Sequence, residues 1–200
     1  MYNGLATIGY RLSLYLFSTI VIQNRFILKN RIMGYKAIFF DRDGTLNDDG
    51  WYLHKVEDIK ILDWAKEGLK QLKNLWYKLI IITNQSWIWR WYYTMDDCNK
   101  FNEELENQLW LKFDWIYICP HTSEDNCNCR KPRILLVENA IKDFDLDINQ
   151  CYFVWDKESD IQTWINAWCR TVFIKGSNYK CDIEPDFLVN SILEFSELIK

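Results

Sequence analysis

Glycine is scarce in this chain, seven in 200 residues, and proline occurs only three times. Ordinary soluble domains carry about 7% glycine. No glycine- or proline-rich linker divides the sequence, no internal repeat recurs along it, and nothing marks a second catalytic domain. An excess of charge is also lacking, the formal net charge being -4. Without a basic surplus the chain has no electrostatic pull toward nucleic acid or an anionic membrane. A mildly acidic protein that acts on an anion must therefore bring local lysines and arginines to it. Long apolar runs are missing too. Leu12 to Ile22 is interrupted by Ser13 and Ser18 and bounded by Arg11 and Gln23, too short to span a bilayer. No small-residue cleavage pattern follows it. Residues 1–32 read as an N-terminal extension, a peripheral helix or upstream addition. Met33-Gly34-Tyr35-Lys36 looks like the start of a single domain over 33–200.

Seven cysteines is an odd number. Three of them crowd with His121 into residues 119–129, which points to metal rather than disulfides. Cys98, Cys151, Cys169 and Cys181 are scattered and read as buried small apolar residues. A cytoplasmic location is expected from this usage.

The most telling stretch is Ala37-Ile38-Phe39-Phe40-Asp41-Arg42-Asp43-Gly44-Thr45. A short apolar run bounded this way reads as a buried strand. Side chains at i and i+2 share a face in extended backbone, so Asp41 and Asp43 converge at the strand's end. Two convergent carboxylates suit a hard divalent cation, and nucleophile-plus-acid work on a phosphate.

From Lys36 onward strands and helices alternate. Strands are expected at 37–41, 79–84, 113–119, 151–154 and 171–174. Helices are expected at 64–75, from Thr94 through Leu109, at 134–144 and 161–168, with a terminal helix over 185–200. That alternation predicts an α/β fold, a Rossmann-like parallel sheet with helices on both faces. Asp41 and Asp43 follow the first strand, Thr83 and Asn84 close the second, and Asp156 follows the fourth. Open parallel sheets bind ligands along that edge. A separate constellation, Cys119-Pro120-His121 with Cys127-Asn128-Cys129, supplies three sulfurs and an imidazole. That is a filled tetrahedral set for structural Zn2+, expected to stiffen the loop carrying Arg130 and Lys131.

Together these residues resemble the haloacid dehalogenase superfamily of phosphotransferases, and within it the zinc-containing histidinol-phosphatase-like branch. The likeness runs from about Met33 to Lys175. Thr83-Asn84-Gln85-Ser86, with Arg90 beyond, is more similar to the heptose bisphosphate phosphatases of that branch. Cys119-Pro120-His121 and Asp125-Asn126-Cys127 are equally similar to the histidinol phosphate phosphatases. The resemblance implies a Mg2+-dependent sugar-phosphate phosphatase that removes the 7-phosphate of a D-glycero-D-manno-heptose 1,7-bisphosphate. The alternative substrate is histidinol phosphate. It implies Asp41 as nucleophile forming an aspartyl-phosphate, and Asp43 as general acid/base. Thr83 and Lys131 stabilise the phosphoryl group, while Asp41, Asp43 and Asp156 hold Mg2+, with Asp160 orienting the metal shell. Substrate-contacting segments carry over to Asp49, Gly50, Trp51, Tyr52, Asn84, Gln85, Ser86, Arg130 and Lys157. The implied partner is a small phosphorylated sugar, with neither nucleic acid nor membrane, and the protein acts as a monomer. The rival reading is a non-catalytic zinc-stabilised domain that binds a phosphorylated ligand.

Against the scarcity of glycine stand eleven tryptophans. Trp76 follows a helix, where a glycine stop is expected. Trp87, Trp89, Trp91, Trp155, Trp164 and Trp168 also fall where the resembling family has glycine. Trp51, Trp64 and Trp115 fit the same account, and Trp110 less clearly. A non-glycine residue held at positive φ costs roughly 1–2 kcal/mol, and several together approach the roughly 5–15 kcal/mol stability of a domain. Bulk at Trp155 is expected to crowd the phosphate beside Asp156. A UGA codon read as glycine in one genetic code and tryptophan in another would produce this pattern.

Overall fold

Ala37, Ile38, Phe39 and Phe40 are all fully buried, as a strand covered on both faces must be. The structure is a computed structural model and describes residues 34–50, 53–157, 163, 165–175 and 184–200. Residues 1–32, Trp51, Tyr52, Asp160, Trp164 and Cys181 lie outside the described residues, as do positions 161 and 162 of the expected 161–168 helix, of which Thr163 and residues 165–167 are helical.

Six strands form one sheet: β1 (Ala37–Phe40), β2 (Lys78–Asn84), β3 (Trp115–Cys119), β4 (Tyr152–Trp155), β5 (Arg170–Ile174) and β6 (Phe187–Val189). Their order is β3-β2-β1-β4-β5-β6 and every pairing is parallel. The order reverses at β1, so its carboxyl end opens beside β4 at a topological switch point. Among the described residues four helices with both ends defined accompany the sheet: α1 (Ala65–Asn74), α2 (Met95–Leu109), α3 (Leu135–Phe144) and α4 (Ile192–Leu198).

Strand alternation divides the core into two. Ile38 and Phe40 join Leu69 and Leu72 of α1, Phe101 and Leu105 of α2, and Ile192 and Phe195 of α4. Ala37 and Phe39 face the other way, onto Leu136, Val137 and Ala140 of α3. The expected α/β architecture with helices on both faces is present. Gly68 lets α1 meet the start of α4, since a Cβ there would lie 2.7 Å from the Leu193 backbone nitrogen. Thr94 opens α2 through a reciprocal cap: its Oγ1 accepts from the Asp97 amide, and Asp97 accepts from the Thr94 amide.

One expectation fails. The 185–200 segment is not a single helix; Phe187–Val189 pairs with β5 as a sixth strand before α4 begins. Three residues carry too little periodicity to announce a strand, and the edge of β5 supplies the hydrogen bonds that make it one.

Candidate active site

The carboxyl edge of the sheet carries a polar cavity of about 240 Å3. β1 ends in Asp41, whose amide bonds back to the Val154 carbonyl of β4. Asp41 is buried, and its Oδ1 lies 3.0 Å from Lys131 Nζ. A buried carboxylate needs such a partner, and so does a buried ammonium. Lys131 comes from the loop after β3, which β2 holds in place. Asn84 accepts from the Lys131 amide at 3.1 Å and donates to its carbonyl at 3.3 Å.

Asp156, just past β4, is buried and accepts from Thr45 Oγ1 at 3.2 Å. The turn at Gly44 makes this approach possible. Gly44 sits at φ +88°, and a Cβ there would collide with the Asp156 carboxylate. Asp41 and Asp156 thus stand on adjacent strands at the switch point. Their hard oxygens fit Mg2+, which takes few carboxylates and fills its octahedron with water and phosphate.

Asp43 is embraced rather than free. Arg42 donates from Nε and Nη2 to its two oxygens, Gln85 donates at 2.8 Å, and Asn47 at 3.1 Å. Burial alone would raise the Asp43 pKa, but the Arg42 charge and these hydrogen bonds outweigh it and hold the carboxyl below its usual range. Gln85 also donates to Thr83 Oγ1 at 2.9 Å and accepts from the Tyr93 hydroxyl at 2.6 Å. That amide ties the Asp43 carboxylate and the Thr83 hydroxyl into one network.

The structure brings Asp41, Asp43, Thr83, Asn84, Gln85, Ser86, Arg130, Lys131, Lys157, Asp49 and Gly50 to one cavity wall. Asp156 lies beneath it through Thr45 and Gly44. Lys157 and Asp49 form an ion pair at 2.8 Å. Burial disfavours the Lys157 charge, yet the Asp49 hydrogen bond and the neighbouring carboxylates raise its pKa above the usual value.

Arg42, Tyr93 and Leu53 also serve the site, and sequence reasoning missed them. The signal available for Arg42 was a cation squeezed between two carboxylates in a buried motif. Trp155 corrects another expectation. Its ring is fully buried against Phe173, centroids 4.6 Å apart, and it faces the core rather than the cavity. Successive residues of a strand point to opposite faces, so bulk at 155 does not crowd Asp156.

Cys119, His121, Cys127 and Cys129 close a second centre. Their sulfurs lie 3.2, 3.5 and 3.7 Å apart, and His121 Nδ1 lies 3.3 Å from Cys129 Sγ. Zinc–sulfur bonds of about 2.3 Å place tetrahedral sulfurs nearly 4 Å apart, so this cage fits a zinc ion after slight expansion. All four ligand atoms lie within 4.8 Å of one another. Arg130 donates to the His121 carbonyl at 3.1 Å, tying the cage to the cavity wall.

A family model for polynucleotide kinase 3 phosphatase matches residues 36–183. A D-glycero-beta-D-manno-heptose-1,7-bisphosphate 7-phosphatase of Helicobacter pylori is 41% identical over 136 residues, covering 66% of this chain and 79% of the relative. A D-glycero-alpha-D-manno-heptose-1,7-bisphosphate 7-phosphatase of Campylobacter jejuni is 38% identical, covering 78% and 89%. The crystal structure of a D,D-heptose 1,7-bisphosphate phosphatase from B. bronchiseptica, complexed with magnesium and phosphate, superposes with a TM-score of 0.73 at 21% identity, covering 82% of this chain and 97% of that one.

Proposed function

This chain belongs to the haloacid dehalogenase-like phosphatases, in the branch of the heptose bisphosphate phosphatases, and we propose that it hydrolyses the 7-phosphate of a D-glycero-D-manno-heptose 1,7-bisphosphate in the cytoplasm. The observation that carries this reading is Asp41 at the floor of the cavity, paired with Lys131 and flanked by Thr83, with Asp156 on the neighbouring strand.

In the proposed reaction the Asp41 carboxylate attacks phosphorus, and the bond to the sugar oxygen breaks. Lys131 and Thr83 hold the phosphoryl oxygens. Asp43 delivers a proton to the leaving alkoxide, then removes one from the water that releases phosphate from Asp41. Arg42 keeps Asp43 ionised in the resting site. The arriving phosphate dianion favours the neutral carboxyl by like-charge repulsion, so Asp43 takes up a proton from solvent as substrate binds. It gives that proton to the alkoxide, regains one from the attacking water and returns it to solvent when phosphate leaves. Asp41, Asp156 and the Asp43 carbonyl would hold Mg2+, which neutralises the transferring phosphoryl charge when bound. Cys119, His121, Cys127 and Cys129 would hold Zn2+ in a structural role. The sugar lies toward Asp49, Gly50, Ser86, Arg130 and Lys157, with Trp51 and Tyr52 continuing that segment.

The test is phosphate release from the alpha and beta anomers of heptose 1,7-bisphosphate, from histidinol phosphate, and from a panel of other sugar phosphates with Mg2+. The highest kcat/KM is expected on a heptose bisphosphate, with the 1-phosphate retained. A higher value on histidinol phosphate would overturn the substrate assignment. No release from any of them would overturn the enzyme.

A further inference from the structure

Among the described residues, non-glycine positions at positive φ are Trp76, Trp91, Trp110, Asn126, Asp145 and Trp168. Asparagine and aspartate tolerate that conformation, because their short polar side chains bond locally. Tryptophan does not, and a bulky residue there is an outlier. Yet four of the nine described tryptophans occupy it, at φ 66°, 63°, 54° and 59°.

The hydrogen bonds identify these positions more closely. The Trp76 amide donates to the Lys73 carbonyl, and the next amide, Tyr77, to Leu72. Trp110 donates to Asn107 and Leu111 to Glu106; Trp91 donates to Ile88 and Tyr92 to Trp87. Each pair is a Schellman closure, with bonds reaching three and five residues back. The tryptophan stands each time at the left-handed position of the closure, the place glycine fills because a Cβ is disfavoured there. Trp168 repeats the first half, donating to Ile165.

The packing compensates little: Lys66 Nζ lies 4.2 Å from the Trp110 ring centroid. The four side chains are between 85 and 93% exposed. Burial of an indole gives tryptophan its usual reason to occupy a site, and here that reason is missing. Inside the protein, the indole Nε1 atoms of Trp64 and Trp155 are buried without a hydrogen-bond partner among the described residues. The chain is short of glycine and rich in tryptophan, and four of its described tryptophans sit where backbone geometry asks for glycine, while Trp64, Trp87, Trp89, Trp115 and Trp155 do not.

We propose that the natural protein carries glycine at positions 76, 91, 110 and 168, encoded by a UGA codon that its genetic code reads as glycine. The helix ends and the turn at position 91 then close without strain. The groove of about 820 Å3 between Lys66 and Phe113 also loses the Trp110 indole that walls it.

Two measurements decide this. Peptide mass spectrometry of the protein purified from its own organism should show glycine at all four positions, and the gene should carry UGA at each. Tryptophan in those peptides, or UGG codons, would overturn the proposal. Independently, the recombinant tryptophan-containing chain is compared with Trp76→Gly and Trp76→Ala by urea unfolding. Glycine should raise the midpoint more than alanine, because only glycine relieves the positive φ. Restoring glycine at all four should raise it furthest. Equal effects of glycine and alanine, or a lower midpoint with glycine, would remove the geometric basis.

Discussion

The guanidinium of Arg42 grips both carboxylate oxygens of its neighbour Asp43, Nε to Oδ1 and Nη2 to Oδ2, each at 3.0 Å. Its remaining edge donates to Asn102 Oδ1 at 3.0 Å, and its face lies 4.3 Å from the Phe101 ring centroid. Helix α2 therefore fixes the fork, and the fork fixes Asp43. The planar five-donor head of arginine makes this possible where a lysine ammonium would not.

Replacing Arg42 with methionine should raise the Asp43 pKa, because the cation that depresses it is gone. The limb of the pH–rate profile governed by Asp43 should then move to higher pH. Breaking a buried pair costs about 3–5 kcal/mol, so the urea midpoint should fall as well. Arg42→Lys should keep the charge but not the fork, and recover stability better than the original profile. An unchanged profile in Arg42→Met would separate Arg42 from the chemistry.

Asp41→Asn should abolish turnover. It should also prevent trapping of a fluoroberyllate mimic of the aspartyl-phosphate, since the amide is a poor nucleophile. Lys131, left opposite a neutral amide, loses its buried partner, so some loss of stability should accompany the loss of activity. Near-normal phosphate release in this variant would end the covalent mechanism.

Zinc should be found by elemental analysis at about one per chain, because four protein ligands close its shell. Cys127→Ser should lower zinc content, loosen the 119–131 loop and weaken phosphate binding through Lys131. Cys127 is itself not among the residues lining the cavity. Metal-free protein that melts unchanged and retains full activity would refute the structural role.

Asp114 should make stability depend on pH. Burial would raise its pKa, but Lys73 at 2.6 Å, the Leu79 amide and Lys78 at 3.2 Å together hold it below the usual carboxylate range. A depressed folded-state value stabilises the protein above the unfolded carboxylate pKa of about 3.9. That contribution fades as pH falls through the folded value. Asp114→Asn should therefore cost about 1 kcal/mol near neutral pH, and the gap from the parent should close in acid. A gap that widens in acid would reverse the assignment.

The local sequence was enough to place four of the site's supports. Asp41, Asp156, Thr83 and Asn84 were legible because each ends an apolar run, and strand geometry carries such residues to one sheet edge. The Cys3His cage was legible because its ligands lie within eleven residues, so spacing alone brings them near one another. Ala65, Leu69, Leu72 and Leu75, and likewise Phe101, Leu105 and Leu109, announced the apolar faces of α1 and α2 by helical periodicity; all are buried except Leu75, which packs partly buried at the end of α1.

Other features exist only after the chain has folded. Strand β6 depends on the free edge of β5. Its three residues alternate between burial and exposure too briefly to signal themselves, with Val189 buried and Leu188 half exposed. Arg42 looks in sequence like a solvated cation between two acids. It is buried because Asn102 and Phe101, about sixty residues later on α2, close over it. Gln85 joins Asp43, Thr83 and Tyr93 in one network that no local pattern contains. Sequence determined which residue types end each strand and which faces are apolar, since those follow from periods of two and 3.6. Tertiary structure decided the partners, because hydrogen bonds and ion pairs between distant segments form only once strand order has brought them together.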